Sequence, residues 1–187
     1  VTILDDFDVP VSGQSVAFEN PTAGDTVSDT QTGLAGVAGG SRDLSLTAQA
    51  VFAGGSQAQA EINLATSPGN FQLTNSIRID SIVSIGWDAN DAGLNSDLSA
   101  FTGLALEGVE NDLSTTYKIT VTTNGGGSAS LTLSPGAAFA GNLDFSFASF
   151  VGSANLADID SIVLEIDGAR GADVIIDRLV AVPEPTT

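Results

Sequence analysis

Through most of this chain apolar and polar residues alternate one by one, and a period of two predicts strands with one buried and one wet face. In residues 44–52 the apolar set is Leu44, Leu46, Ala48, Ala50 and Phe52. In residues 60–64 it is Ala60, Ile62 and Leu64, with Gln59, Glu61 and Asn63 on the polar side. Residues 117–123 alternate Tyr117, Ile119 and Val121 with Lys118, Thr120 and Thr122, and residues 128–134 answer with Ala129, Leu131 and Leu133. Between them Asn124-Gly125-Gly126-Gly127 supplies the positive φ angles of a tight connection, so the two segments predict a hairpin. Further strands are expected over 1–9, 15–19, 71–74, 77–87, 101–107, 143–148, 161–167 and 173–182; residues 33–40 read as a loop and 155–158 as one short helical turn. No stretch of ten or more residues carries a helical stripe. The expected architecture is all-β, an antiparallel jelly-roll β-sandwich forming one domain over 1–181, with 182–187 as a tail.

One internal echo stands out: Ile79-Asp80-Ser81-Ile82-Val83 returns as Ile159-Asp160-Ser161-Ile162-Val163. Solenoids repeat every 20 to 50 residues or so, and a single pentapeptide fits two strands of like edge-in geometry better. A β-helix is nevertheless the alternative fold, given the abundance of Gly, Ala, Ser, Thr and Asn.

Charge narrows the partners. Lys and Arg number 5 against 23 Asp and Glu, a formal net charge of -18, which repels phosphate backbones and anionic lipid head groups. Nucleic acid is excluded as a partner, and no apolar run approaches the roughly 18 to 20 residues of a spanning helix. With 42% hydrophobic residues and clear periodicity, the acidic chain folds rather than staying disordered. Neither His nor Cys is present, which removes Ser-His-Asp and Cys-His catalysis and imidazole or thiolate zinc sites. No residue constellation predicts an enzyme, and no cofactor is required.

Hard cations are the ligand these residues could hold. Asp88-Ala89-Asn90-Asp91-Ala92-Gly93 begins like a calcium loop, with Asp88 and Asn90 at the first and third places and Asp91 beside them. Ala at the fifth place and Ser99 at the twelfth rule out an EF-hand, leaving a looser calcium site in a sandwich loop. Asp5, Asp6 and Asp8 form a second candidate cluster that converges only if its strand bends. Solvated turn acids are the competing reading for both clusters. Carbohydrate platforms use exposed aromatic faces, and the single Trp87, beside Asp88, is the one candidate; core packing is the commoner role for a lone Trp.

The C-terminal Val182-Pro183-Glu184-Pro185-Thr186-Thr187 resembles the opening of a PEP-CTERM sorting signal, with Pro183, Glu184 and Pro185 as the motif. In that family an apolar span and a basic cluster follow, handled by an exosortase. Leu4-Asp5-Asp6-Phe7, Gly39-Gly40-Ser41-Arg42-Asp43-Leu44, Gly86-Trp87-Asp88, Phe145 to Phe150 and Ile162 to Gly168 are similar to landmarks of secreted PEP-CTERM β-proteins of undefined function. The resemblance implies the cell surface or extracellular matrix of a Gram-negative-type bacterium, and no known reaction. Val rather than Met at residue 1 fits an exported chain whose leader has been removed.

Two function classes follow. The first is a structural matrix protein whose partners are copies of itself, joined into filaments by exchange of the strand at 1–9 through Ile3, Leu4, Phe7 and Val9. The alternative is a calcium-dependent carbohydrate-binding module for an extracellular polysaccharide, with Trp87 and the Asp88 loop as its site.

Overall fold

The computed structural model describes residues 1–10, 12–65 and 68–184. In chain order its strands begin with β1 (Thr2–Asp5), β2 (Gln14–Glu19), β3 (Thr26–Thr32), β4 (Ser41–Val51) and β5 (Gln57–Ile62). They continue with β6 (Phe71–Asn75), β7 (Ile79–Trp87), β8 (Phe101–Asn111), β9 (Thr115–Thr123) and β10 (Ser128–Leu133). The last are β11 (Phe139–Ser146), β12 (Val151–Gly152), β13 (Ile159–Gly168), β14 (Asp173–Ile176) and β15 (Arg178–Pro183). Helix is confined to two single 3-10 turns, Ala38–Gly40 and Phe147–Ser149, so among the described residues no helix is long and apolar enough to cross a membrane.

Two antiparallel sheets result. One holds eight strands in the order β1-β15-β8-β14-β6-β5-β2, with β11 on the far side of β8; the other runs β12-β10-β9-β13-β7-β4-β3. They pack as a jelly-roll-like β-sandwich, as the alternation predicts, and the β-helix alternative falls because the strands pair antiparallel within two layers. Every second residue of the facing strands points inward and is buried: Phe71, Leu73, Leu104, Leu106, Val174 and Ile176 from the eight-stranded sheet meet Leu44, Leu46, Val83, Ile85, Ile119 and Leu164 from the other. Each such side chain contributes about 1.5–3 kcal/mol of apolar burial.

Three polar ties cross this core. Asp5 at the end of β1 is fully buried and forms an ion pair with the fully buried Arg42 of β4 at 2.7 Å. Its carboxylate also accepts from the Phe7 backbone N–H at 2.9 Å and from Trp87 Nε1 at 2.9 Å, while Arg42 Nε donates to Gln14 Oε1 at 3.0 Å. Burial pushes the Asp5 carboxyl above its ordinary 3.8, against the opposing pull of Arg42 and the donors from Phe7 and Trp87. Elsewhere Tyr117 OH donates to Asn111 Oδ1 at 3.2 Å, and Ser81 Oγ donates to Asn75 Oδ1 at 2.7 Å. Because each of these groups is satisfied only when the two sheets are in register, the ties fix how the layers sit on each other.

Several expectations need correction. β3, with the sequence Thr26-Val27-Ser28-Asp29-Thr30-Gln31-Thr32, was not expected as a strand, because it is an edge strand with no buried residue. The repeated pentapeptide lies on neighbouring strands, yet Ile82 faces outward in β7 whereas Ile162 is buried in β13. A bulge between Ile159 and Ser161 reverses the phase of the second copy, so the echo is no structural repeat. Segment 1–9 is likewise not one regular strand: pairing passes from Ile3↔Val180 to Asp5↔Leu179, so Leu4 is an extra residue and the faces switch.

That switch divides the self-association set. Leu4, Phe7 and Val9 pack against the chain's own core, and only Ile3, 46% exposed, points away. The segment is held in its own sheet by β15 and by the Asp5–Arg42 pair, with Val1 and Ile3 as its exposed apolar side chains. At the other end β15 runs through Pro183, and the Glu184 N–H donates to Ala100 O at 3.4 Å; Pro185 of the sorting motif lies outside the described residues.

Candidate functional site

The outer face of the eight-stranded sheet carries a trough, and the cause lies in three neighbouring strands. From Gly141↔Val109 to Leu143↔Leu106, β11 advances two residues while β8 advances three, so β8 has one extra residue at Glu107-Gly108. Gly108 sits at φ +64, a left-handed conformation in which a Cβ would strike the Asp177 carboxylate. Its N–H donates to Asn142 Oδ1 at 3.2 Å, and opposite it Asp177 separates β14 from β15. A bulge bends its strand, and here β8 bends between two partners.

Along this bent face four concavities follow one another. A cavity of about 220 Å³ lies over Thr102, Gly103, Asp144 and Ser146, and one of about 590 Å³ over Asp6, Asp8, Glu107, Asn142, Asp177 and Arg178. A cavity of about 530 Å³ is lined by Gln72, Glu110, Asp112, Phe139, Asp173 and Ile175, and one of about 260 Å³ by Gln57, Gln59, Thr74 and Ser76. Strand register builds the widest row: Ser15, Glu61, Gln72, Ile175, Glu110 and Ala140 stand side by side across six strands. They face out because their neighbours Ile62, Phe71, Val174, Ile176 and Val109 face in.

The trough is rich in acceptors and short of cations. Its one cation, Arg178, pairs with Glu107 at 2.5 Å. Asp112 accepts the Asp173 backbone N–H at 2.8 Å, while among the described residues the side chains of Gln72, Glu110 and Asp173 have no hydrogen-bonding partner. Such a surface suits a ligand with many hydroxyl donors and an apolar edge for Phe139 and Ile175.

The sites expected from sequence are distributed differently. Trp87 is not a platform: it is completely buried, and its Nε1 is satisfied by Asp5. The Asp5, Asp6 and Asp8 cluster is split, because the bulge at Leu4 turns Asp5 into its ion pair with Arg42 and leaves Asp6 and Asp8 on the trough. In the other loop Asp88 Oδ1 accepts the Asp91 N–H at 3.1 Å and Asp88 O the Gly93 N–H at 2.8 Å, while Asn90 and Asp91 are exposed. Ala89, Asn90 and Asp91 all take positive φ (57, 57 and 64), a turn closed by its own hydrogen bonds. Among the described residues no three acidic side chains come together in a way that could hold a metal ion.

Glu110, Gln72 and Phe139 were not singled out from sequence. One signal pointed to them: the core residues of β8 run Leu104, Leu106, then Val109, a phase slip that marks a bulge at Gly108.

The fold has solved counterparts. A family 11 carbohydrate-binding module from Clostridium thermocellum, in complex with a β-1,3-1,4-mixed-linked tetrasaccharide, matches 97% of this chain and 95% of its own at 12% identity and a TM-score of 0.50. A family 16 carbohydrate-binding module matches 67% of this chain and 84% of its own at 12% identity and a TM-score of 0.39. TmCBM61 in complex with β-1,4-galactotriose matches 85% of this chain and 88% of its own at 9% identity and a TM-score of 0.34. The first likeness establishes a shared sandwich fold, and the looser two carry no further argument. No protein-family model and no curated protein matches the chain.

Proposed function

We propose that this chain is a carbohydrate-binding module that holds a neutral glycan along the trough of its eight-stranded sheet, without catalysing a reaction. The observation that carries the reading is the cavity of about 530 Å³ in which Gln72, Glu110 and Asp173 present hydrogen-bonding groups without partners among the described residues. Glu110 and Asp173 are exposed and Gln72 is half-buried, so their polar atoms are open to a ligand that lies in the trough. The fold shared with a module bound to a β-1,3-1,4-mixed-linked tetrasaccharide supports saccharide as the ligand class. Carboxylates along the trough repel anionic polymers, which favours neutral ones. Sugar hydroxyls donate to Glu110 and Asp173, the Gln72 amide serves hydroxyls of either sense, and Phe139 takes the apolar face of a ring. The resemblance of the tail to a PEP-CTERM signal supports an extracellular setting for such a module.

Affinity electrophoresis through gels containing soluble neutral polysaccharides, among them mixed-linkage β-glucan, galactan and mannan, tests this reading. At least one of them is expected to retard the chain, and replacing Gln72 and Glu110 with Ala is expected to remove the retardation. Equal mobility in every gel would overturn it.

A further inference from the structure

The end of the sandwich formed by the β4–β5, β6–β7 and β13–β14 loops carries a second, chemically different surface. Phe52 is 43% exposed and Ile77 75% exposed, two large apolar side chains on neighbouring loops. Arg170 lies over the Phe52 ring at 4.5 Å, and Arg78 follows Ile77 in the chain. The loops are tied: the Phe52 N–H donates to Arg78 O at 2.8 Å, and the Gly171 N–H to Ser76 O at 3.0 Å.

The two guanidinium groups are underused. Of the five cations, Arg42 is buried in its pair with Asp5, Lys118 is 2.6 Å from Glu165, and Arg178 is 2.5 Å from Glu107. Arg78 has no carboxylate partner among the described residues and gives Nη1 to Ala53 O at 2.5 Å. Arg170 makes no hydrogen bond there and reaches a carboxylate only through Nε, 4.0 Å from Asp80. Each guanidinium carries five donors, and most of these ten remain free. Arg170 over the Phe52 ring and Arg78 on the carbonyl of the next residue, Ala53, bring two cations to one end of a chain of net charge -18, and they attract an anion there.

We propose that Phe52, Ile77, Arg78 and Arg170 form a second saccharide site, selective for a sugar unit that bears a carboxylate. The ring and Ile77 take the apolar edge of the pyranose, and the guanidinium groups bind the carboxylate in the paired geometry that arginine favours. Size selects a sugar over a protein partner, because a stable protein interface engages roughly 20–30 residues on each side and this patch has four side chains. The site is independent of the trough and stands or falls separately from it.

Amide chemical-shift titration of the full chain with galacturonate trisaccharide, set against galactotriose and against sodium acetate, is the test. The uronate is expected to shift the amides of Phe52, Ile77, Arg78 and Arg170 saturably, with galactotriose and acetate much weaker, and the shifts should shrink as salt rises. Arg78→Gln with Arg170→Gln should weaken that binding by about tenfold or more while leaving the unfolding midpoint and neutral-polysaccharide retardation unchanged. Phe52→Ala should weaken it too; if that variant alters the midpoint, the arginine pair decides alone. Failure of the uronate to shift these amides, undiminished binding by the arginine variant, or equal response to acetate or galactotriose would overturn the proposal.

Discussion

The outer faces of the two sheets are both polar, yet they use their polar groups differently. On the seven-stranded sheet, rows of hydroxyl and charged side chains stand directly opposite one another and pair across strands. Lys118 meets Glu165 at 2.6 Å, Thr30 meets Asp43 at 2.5 Å, Thr26 meets Thr47 at 2.9 Å and Thr116 meets Ser134 at 3.1 Å. Those four pairs tie that face to itself, beside side chains such as Ser84 and Thr120 that have no partner among the described residues. On the eight-stranded sheet the bulge at Gly108 spreads the face into a trough, and Gln72, Glu110 and Asp173 are without partners among the described residues. Neither polarity nor a bulge alone separates the two faces, since the seven-stranded sheet has bulges at Ala48–Ala50 and Ile159–Ser161; the row of cavities along β8 and its partners does.

Removing the tie that belongs to both faces has the largest expected effect. Arg42→Met leaves Asp5 buried without its charged partner and strips Gln14 Oε1 and Val9 O of their donor. A loss of about 3–5 kcal/mol is expected, a large part of a typical domain's stability, and urea unfolding measures it. A loss below about 1 kcal/mol would mean that the layers do not depend on this tie.

Reshaping one face is the next step down. Gly108→Val forces a branched side chain into left-handed backbone and against Asp177, at a cost of about 1–3 kcal/mol. Retardation by neutral polysaccharide should disappear in a variant that circular dichroism shows still folded. Ser84→Ala, on the flat face, should leave retardation and stability as they were. Equal loss in both variants would erase the distinction between the faces.

The smallest effect sharpens the comparison on the self-paired side. Burial first, then the negative charges of Asp80 and Glu165, raise the Asp167 carboxyl above its ordinary 3.8. The folded state therefore holds that proton more tightly than the unfolded chain. Its contribution to stability is full below the unfolded value near 3.8 and is lost as pH rises through the raised folded value. Asp167→Asn removes this loss, so the variant should gain on the parent between acid and neutral pH, by about 0.5 kcal/mol or less because the group is exposed. Unfolding midpoints measured across that range check the sign; a gain that shrinks toward neutral pH would contradict it.

Much of the fold was legible because alternation is a direct image of burial: the β9–β10 hairpin and the buried sets of β7 and β13 follow it closely, and that of β4 does so up to Ala48, where a bulge breaks the phase and Phe52 ends exposed. β3 escaped because an edge strand with no buried residue leaves no apolar trace. The site was harder to see, for a related reason. Glu107-Gly108 reads as the end of a strand, whereas β8 runs on to Asn111 through the bulge, and the bulge is what makes the trough. Trp87 and Asp5 drew attention as scarce or charged residues, and their chemistry turns inward, each satisfying the other. Which carboxylates stay unpartnered depends on neighbours far apart in sequence, such as Gln72, Glu110 and Asp173, and no local pattern reports that.

The account rests on the trough as the glycan face, and one measurement addresses it directly: amide chemical-shift mapping of the nitrogen-labelled chain with oligosaccharides of the neutral polysaccharide that retards it. The predicted perturbations gather on Gln72, Glu110, Asp112, Phe139, Asp173 and Ile175, with Ser84, Thr120 and Glu165 of the flat face unmoved. Perturbations concentrated on Ser84, Thr120 and Glu165, or none on the trough while the polysaccharide still retards the chain, would contradict it.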